Sequence, residues 1–119
     1  MNRQSLGKCG EEAAAEFLRN KGYEIITRNF YTRWGELDII ARDCEEIVFV
    51  EVRTRSSSSF MTPGESVDHT KQERLLKAAQ TWLSEQYPLD PPPCRFDVIS
   101  VIISKDQTPI LEHFPNAFQ

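Results

Sequence analysis

Three features of the 119-residue chain predict an α/β or α+β domain. Two segments carry apolar residues at helical spacing. Five others have the β-branched and aromatic bias of strands. Their order, αβββαββ, indicates a central mixed β-sheet flanked by helices. The length suits a single domain, 1–119, with a core that needs neither disulfides nor a structural metal.

The first helix is expected from about Leu6 to Asn20, with Ser5 as its N-cap and Gly22 just past its end. Leu6, Cys9, Gly10, Ala13, Ala14 and Phe17 share one side of it, Glu12, Glu16 and Arg19 lie away from that side, and Glu11 falls on the margin beside Leu18. YEIITRNFYTR, residues 23–33, reads as the first strand. Thr70-x-x-Glu73 forms a capping box for a second helix that runs to about Gln86 with Leu75, Leu76, Ala79, Trp82 and Leu83 on its apolar side. RFDVISVII, 95–103, is a long strand, with TPILEHF as a candidate partner. The serine run at 56–59, continuing to Pro63-Gly64, and LDPPPC at 89–94 read as loops.

Composition narrows the functional classes. No apolar run approaches the ~20 residues that span a bilayer, and the start lacks the apolar core of a signal peptide, so a cytoplasmic protein with no membrane partner is expected. Cys9, Cys44 and Cys94 are odd in number and include no CxxC pair, which suits reduced thiols. A net charge of −4 argues against coating nucleic acid by bulk electrostatics but is compatible with a local basic cleft.

GELDIIARDCEEIVFVEVRTR, 35–55, places Glu36, Asp38, Glu51 and Arg53 within two apolar strands. If Cys44-Glu45 is a two-residue turn, Asp38 lies opposite Glu51, Glu36 opposite Arg53, and Ile40 opposite Phe49. Leu37, Ile39 and Ala41 then face Val48, Val50 and Val52 as an apolar layer. Two carboxylates facing each other call for a positive group between them. One explanation is a hard Mg2+ or Mn2+ ion, with Arg53 beside it to hold phosphate oxygens. The other is a salt-bridge set in which Arg53 and Arg55 neutralise Glu36, Asp38 and Glu51.

GELDIIA followed by FVEVRTR resembles the PD-(D/E)XK nuclease superfamily, whose restriction-endonuclease-like fold carries a metal-dependent phosphodiesterase site. Together with GKCGEEAAAEFL, RNF, KQERLLKAAQTWL, RFDVISV and LEHFPNAF, it is similar to the YraN-like family, related to archaeal Holliday-junction resolvases. The resemblance implies an endonuclease acting on DNA, branched DNA among its candidate substrates, with Mg2+ or Mn2+. It makes Glu11 the helix-borne acid, Asp38 and Glu51 metal ligands, and Val52 a carbonyl donor. Glu36 becomes an accessory acid or a partner for Arg53, while Arg55 and Lys71 become accessory or phosphate-binding cations. Resolvase-like activity implies a homodimer, for which the tail ILEHFPNAF is one candidate interface.

The lysine of the superfamily's Glu-x-Lys is Arg53 here, an always-charged residue that can grip phosphate but is a poor proton carrier. Alternative readings are therefore a catalytically impaired module that binds nucleic acid or a protein partner, and a scaffold that touches no nucleic acid. Met61 stands where the family usually has glycine, which implies a local loop change. His69 and His113 are expected to be structural, Asp97 to form a salt bridge, and Trp34 to pack at a rim against the first helix, with base stacking as its functional alternative.

Overall fold

The computed structural model describes residues 2–56, 67–105 and 108–118. Its elements are α1 (Arg3–Asn20), β1 (Glu24–Thr32), β2 (Gly35–Asp43), β3 (Glu46–Ser56), α2 (His69–Gln86), β4 (Cys94–Ile103) and β5 (Ile110–Phe118). The strands form one mixed sheet in the order β1-β2-β3-β4-β5, parallel at β3–β4 and antiparallel at the other junctions. The chain reaches β4 from β3 through α2, the helical crossover that a parallel pair requires. The expected loop at 56–59 continuing to Pro63-Gly64 falls mostly outside the described residues, as does Met61.

Each helix covers one face of the sheet. Ala14, Ala15 and Leu18 of α1 pack on Ile39, Ala41, Val48, Val50, Ile99 and Val101. Leu75, Ala78, Ala79 and Trp82 of α2 pack on the opposite face, against residues that include Ile40, Ile47, Phe49 and Phe96. Apolar positions that alternate along β3 thus feed two separate cores, because successive side chains of a strand project to opposite faces.

The helix starts differ from the expected ones. Asn2 caps α1 by accepting the Ser5 N–H at 2.8 Å, so Ser5 lies inside the first turn. Asp68 caps α2 by accepting the Lys71 N–H at 2.8 Å, which leaves Thr70 inside the helix. In both cases an Asx side chain three residues before the donor takes the bond that a downstream hydroxyl was expected to take. The buried stripe of α1 is also rotated: Gly10, Ala14, Ala15 and Leu18 are buried and Cys9 is exposed. Close approach to β3 accounts for this, since a Cβ at Gly10 would collide with the Thr54 side chain.

The hairpin register is the expected one where strands pair, with Ile40 opposite Phe49 and Ala41 opposite Val48. Cys44 turns the chain with φ 59°. Leu37, however, joins the α2-side core with Ile40 and Phe49, so the uniform layer of Leu37, Ile39 and Ala41 does not form. The paired Cα register ends at Ile39–Val50, and beyond it the strict two-residue alternation is lost.

Candidate functional site

The loss of alternation opens a cleft of about 670 Å³ at one end of the hairpin. The N-terminal halves of α1 and α2 bound it through Glu11 and Lys71, and the hairpin supplies Glu36, Asp38, Glu51 and Arg53. The arrangement has a direct cause. Gly10 lets α1 sit tightly on β3, and the next residue, Glu11, is carried to the cleft margin.

Glu11, Glu36 and Asp38 each bring a carboxylate oxygen within 4.8 Å of the others. Asn29 of β1 joins the first two: its Nδ2 donates to Glu11 Oε1 at 2.8 Å and to Glu36 Oε2 at 2.7 Å. Asp38 Oδ2 accepts the Val52 N–H at 2.8 Å. Burial, then the Glu51 charge, pushes the Asp38 carboxyl up to about 8, against the pull of that bond and with Glu11 and Glu36 adding to the rise. Glu36 also raises the Tyr31 hydroxyl on the exposed edge of the cluster.

Glu51 is in a different situation. It is 5% exposed, with Lys71 Nζ 2.5 Å and Arg53 Nε 3.5 Å from its Oε2. Two cations therefore compensate Glu51, whereas among the described residues Glu11, Glu36 and Asp38 are met by the Asn29 amide, the Tyr31 hydroxyl and the Val52 N–H, none of them a cation. A cluster of oxygen donors with uncompensated negative charge fits Mg2+ or Mn2+. By charge compensation, Glu11, Glu36 and Asp38 are the better donors, with Glu51 at their side.

The other sequence-derived residues fall into place around this centre. Val52 lines the cleft and gives its N–H to Asp38. Glu36 is held by Asn29, and Arg53 lies by Glu51, so the expected Glu36–Arg53 pairing does not form. Arg55 is exposed and does not line the cleft. Arg53 Nε is buried and makes no hydrogen bond. Trp34 lines the mouth, where Lys77 Nζ of α2 and the Arg33 guanidinium lie 4.4 and 4.6 Å from its ring centroid, so its cationic neighbour among the helices belongs to α2.

His69 is exposed and pairs with Glu73 within its own helix. His113 Nε2 lies 2.7 Å from Asp97 Oδ2, and Arg95 Nε donates to Asp97 Oδ1 at 2.9 Å. These contacts give Asp97 the salt-bridge role expected for it. Burial opposes its charge, but His113, Arg95 and the Asn116 N–H outweigh burial and hold the carboxyl below the usual range. Sequence reasoning missed Asn29 and Tyr31 as neighbours of the acidic cluster. The signal for Asn29 was its residue type, since asparagine tolerates the left-handed backbone found there, φ 53°.

Fold and site together define an α/β protein of restriction-endonuclease-like architecture, with an acidic cleft where its hairpin meets both helices. Over residues 10–101 the chain matches the Uncharacterised protein family UPF0102, and it belongs to that family, the YraN-like family of the resemblance above. A UPF0102 protein of Nocardia farcinica is 46% identical over 98% of this chain and 91% of its own. One from Geobacter metallireducens is 48% identical over 100% and 96%, and one from Syntrophomonas wolfei 47% over 99% and 100%. Among the described residues, no helix is long and apolar enough to cross a membrane.

Proposed function

We propose that this chain is a Mg2+- or Mn2+-dependent endonuclease that cuts DNA, branched DNA included. The observation that carries this reading is the cluster of Glu11, Glu36 and Asp38, uncompensated by any cation among the described residues, in a cleft that also holds Arg53 and Lys71. Glu11, Glu36 and Asp38 hold the cation, with Glu51 flanking them. When bound, the cation lowers the pKa of a water and offsets the charge that builds on the phosphate.

The remaining work falls to the chain's own cations. The Arg53 guanidinium, whose Nε lacks a hydrogen bond, holds the phosphate oxygens. Lys71 places an ammonium against Glu51, so a lysine enters the cleft from α2 although position 53 holds arginine. The positive ends of both helix dipoles favour an anionic substrate in the cleft.

Arg53 in the lysine position favours a second reading, a module that binds DNA without cutting it. Cleavage of labelled linear, single-stranded, flapped and four-way DNA with Mg2+ or Mn2+ separates the two. Cutting by the natural chain that Asp38→Ala abolishes supports the nuclease. Cutting by Arg53→Lys alone supports the binding module.

A further inference from the structure

We propose that Asn29 is a positioning residue for the cation site, holding Glu11 of α1 and Glu36 of β2 in binding geometry before the cation arrives. The inference rests on the cation-site reading above and assigns a residue to it that lies outside the hairpin and the helix. Two carboxylates on different elements repel each other and separate unless something holds them. One side chain meets both. The Asn29 amide nitrogen has two N–H bonds, and each goes to a different carboxylate, at 2.8 and 2.7 Å. Both acceptors are carboxylates, so nitrogen rather than the amide oxygen must face them.

The backbone explains how Asn29 gets there. Its neighbours stay in the sheet, Arg28 opposite Ile39 and Phe30 opposite Leu37, while Asn29 itself adopts φ 53°. That left-handed residue within a strand redirects the side chain and carries a conformational cost that asparagine keeps low. The amide occupies one oxygen of Glu11 and one of Glu36. Each carboxylate has a second oxygen, and Asp38 brings one of its own within 4.8 Å of theirs. Groups that orient ligating carboxylates in this way typically contribute tenfold or more to metal affinity.

The test measures binding of Mn2+ alone, by calorimetry, to the natural chain, Asn29→Gly, Glu36→Ala and the double variant. Glycine accepts the same φ, so Asn29→Gly removes the amide while allowing the backbone. We expect Asn29→Gly to bind Mn2+ about tenfold more weakly with an unchanged metal-free melting temperature. In the Glu36→Ala background the same substitution costs about threefold or less, because one of the two groups it positions is gone. An undiminished loss in that background overturns the proposal, since Asn29 then acts independently of Glu36. Unaltered Mn2+ affinity in Asn29→Gly overturns it alone; absence of Mn2+ binding by the natural chain overturns the cation-site reading together with it.

Discussion

Asp38 Oδ2 accepts the Val52 N–H at 2.8 Å just where the paired register of the hairpin stops, at Ile39–Val50. A side-chain oxygen thus anchors the strand where backbone pairing ends, and the same carboxylate lies among Glu11, Glu36 and Glu51. One residue closes the fold locally and adds a carboxyl to the acidic cleft.

Stability without metal should therefore depend on the Asp38 proton. Its carboxyl is raised to about 8 when folded, against 3.8 otherwise, so between those values the folded chain binds the proton that the unfolded chain has lost. The Asp38 contribution to stability is greatest below about pH 4, declines as pH rises, and reaches its minimum above about pH 8. Asp38→Asn keeps an oxygen for the Val52 N–H and removes the charge. In metal-free buffer at pH 8 it should melt higher than the natural chain, by the equivalent of about 2 kcal/mol, with the gap closing toward pH 5. A lower melting temperature at pH 8 would make the carboxylate a structural ion-pair partner.

Cation binding should release that proton. Below about pH 8, Mn2+ affinity is expected to fall up to about tenfold per pH unit, since the ligand must be deprotonated. Calorimetry at pH 7 in buffers of different ionisation enthalpy should count close to one proton released per ion. Zero protons would place the ion away from Asp38.

DNA binding should draw on the cations around Trp34. Lys77 and Arg33 lie against its ring from α2 and the β1–β2 turn, beside a cleft that also holds Lys71 and Arg74. Each phosphate contact adds about 0.9 to the salt slope of duplex binding. Lys77→Ala should lower that slope by about one and leave Mn2+ affinity intact. An unchanged slope would put the phosphate backbone elsewhere.

Gly10 should tolerate no side chain. An added Cβ meets Oγ1, Cβ and the methyl Cγ2 of the Thr54 side chain. Gly10→Ala should destabilise by about 1–3 kcal/mol in denaturant melts. It should also weaken Mn2+ binding by displacing Glu11, and Thr54→Ala in the same chain should recover part of both losses. A neutral Gly10→Ala would mean that α1 shifts without cost.

The buried Asp97 network predicts acid sensitivity of the opposite sign. Because Asp97 is held below its usual range, its stabilisation is complete above about pH 4 and is lost as pH falls through its folded value. Asp97→Ala takes the carboxylate from buried His113, while Arg95 keeps Glu46, Asp43 and Tyr23, and should cost about 1–3 kcal/mol at pH 7, read from urea melts. A loss under about 1 kcal/mol would show that water replaces the carboxylate.

By itself, the sequence determined the order αβββαββ, the Cys44-Glu45 turn, the paired part of the hairpin and, in α2, the burial of Leu75, Ala79 and Trp82, whereas Leu76 is exposed and Ala78 is buried in its place. Periodicity and turn length are local properties, and each is written in consecutive residues. The tertiary structure decided what depends on contacts between distant segments. Gly10 against Thr54 set the rotation of α1, and Leu37 crossed to the α2 core where strand pairing ended. Asn29 joined acids from α1 and β2, and Lys71 reached Glu51 from another helix. Strand alternation led to an expected Asp38–Glu51 pair that lies outside the paired register, and only packing could show that Glu51 meets two cations while, among the described residues, Glu11, Glu36 and Asp38 meet none. Charge compensation depends on distances in space, and those arise when α1 and α2 close on the two faces of the sheet.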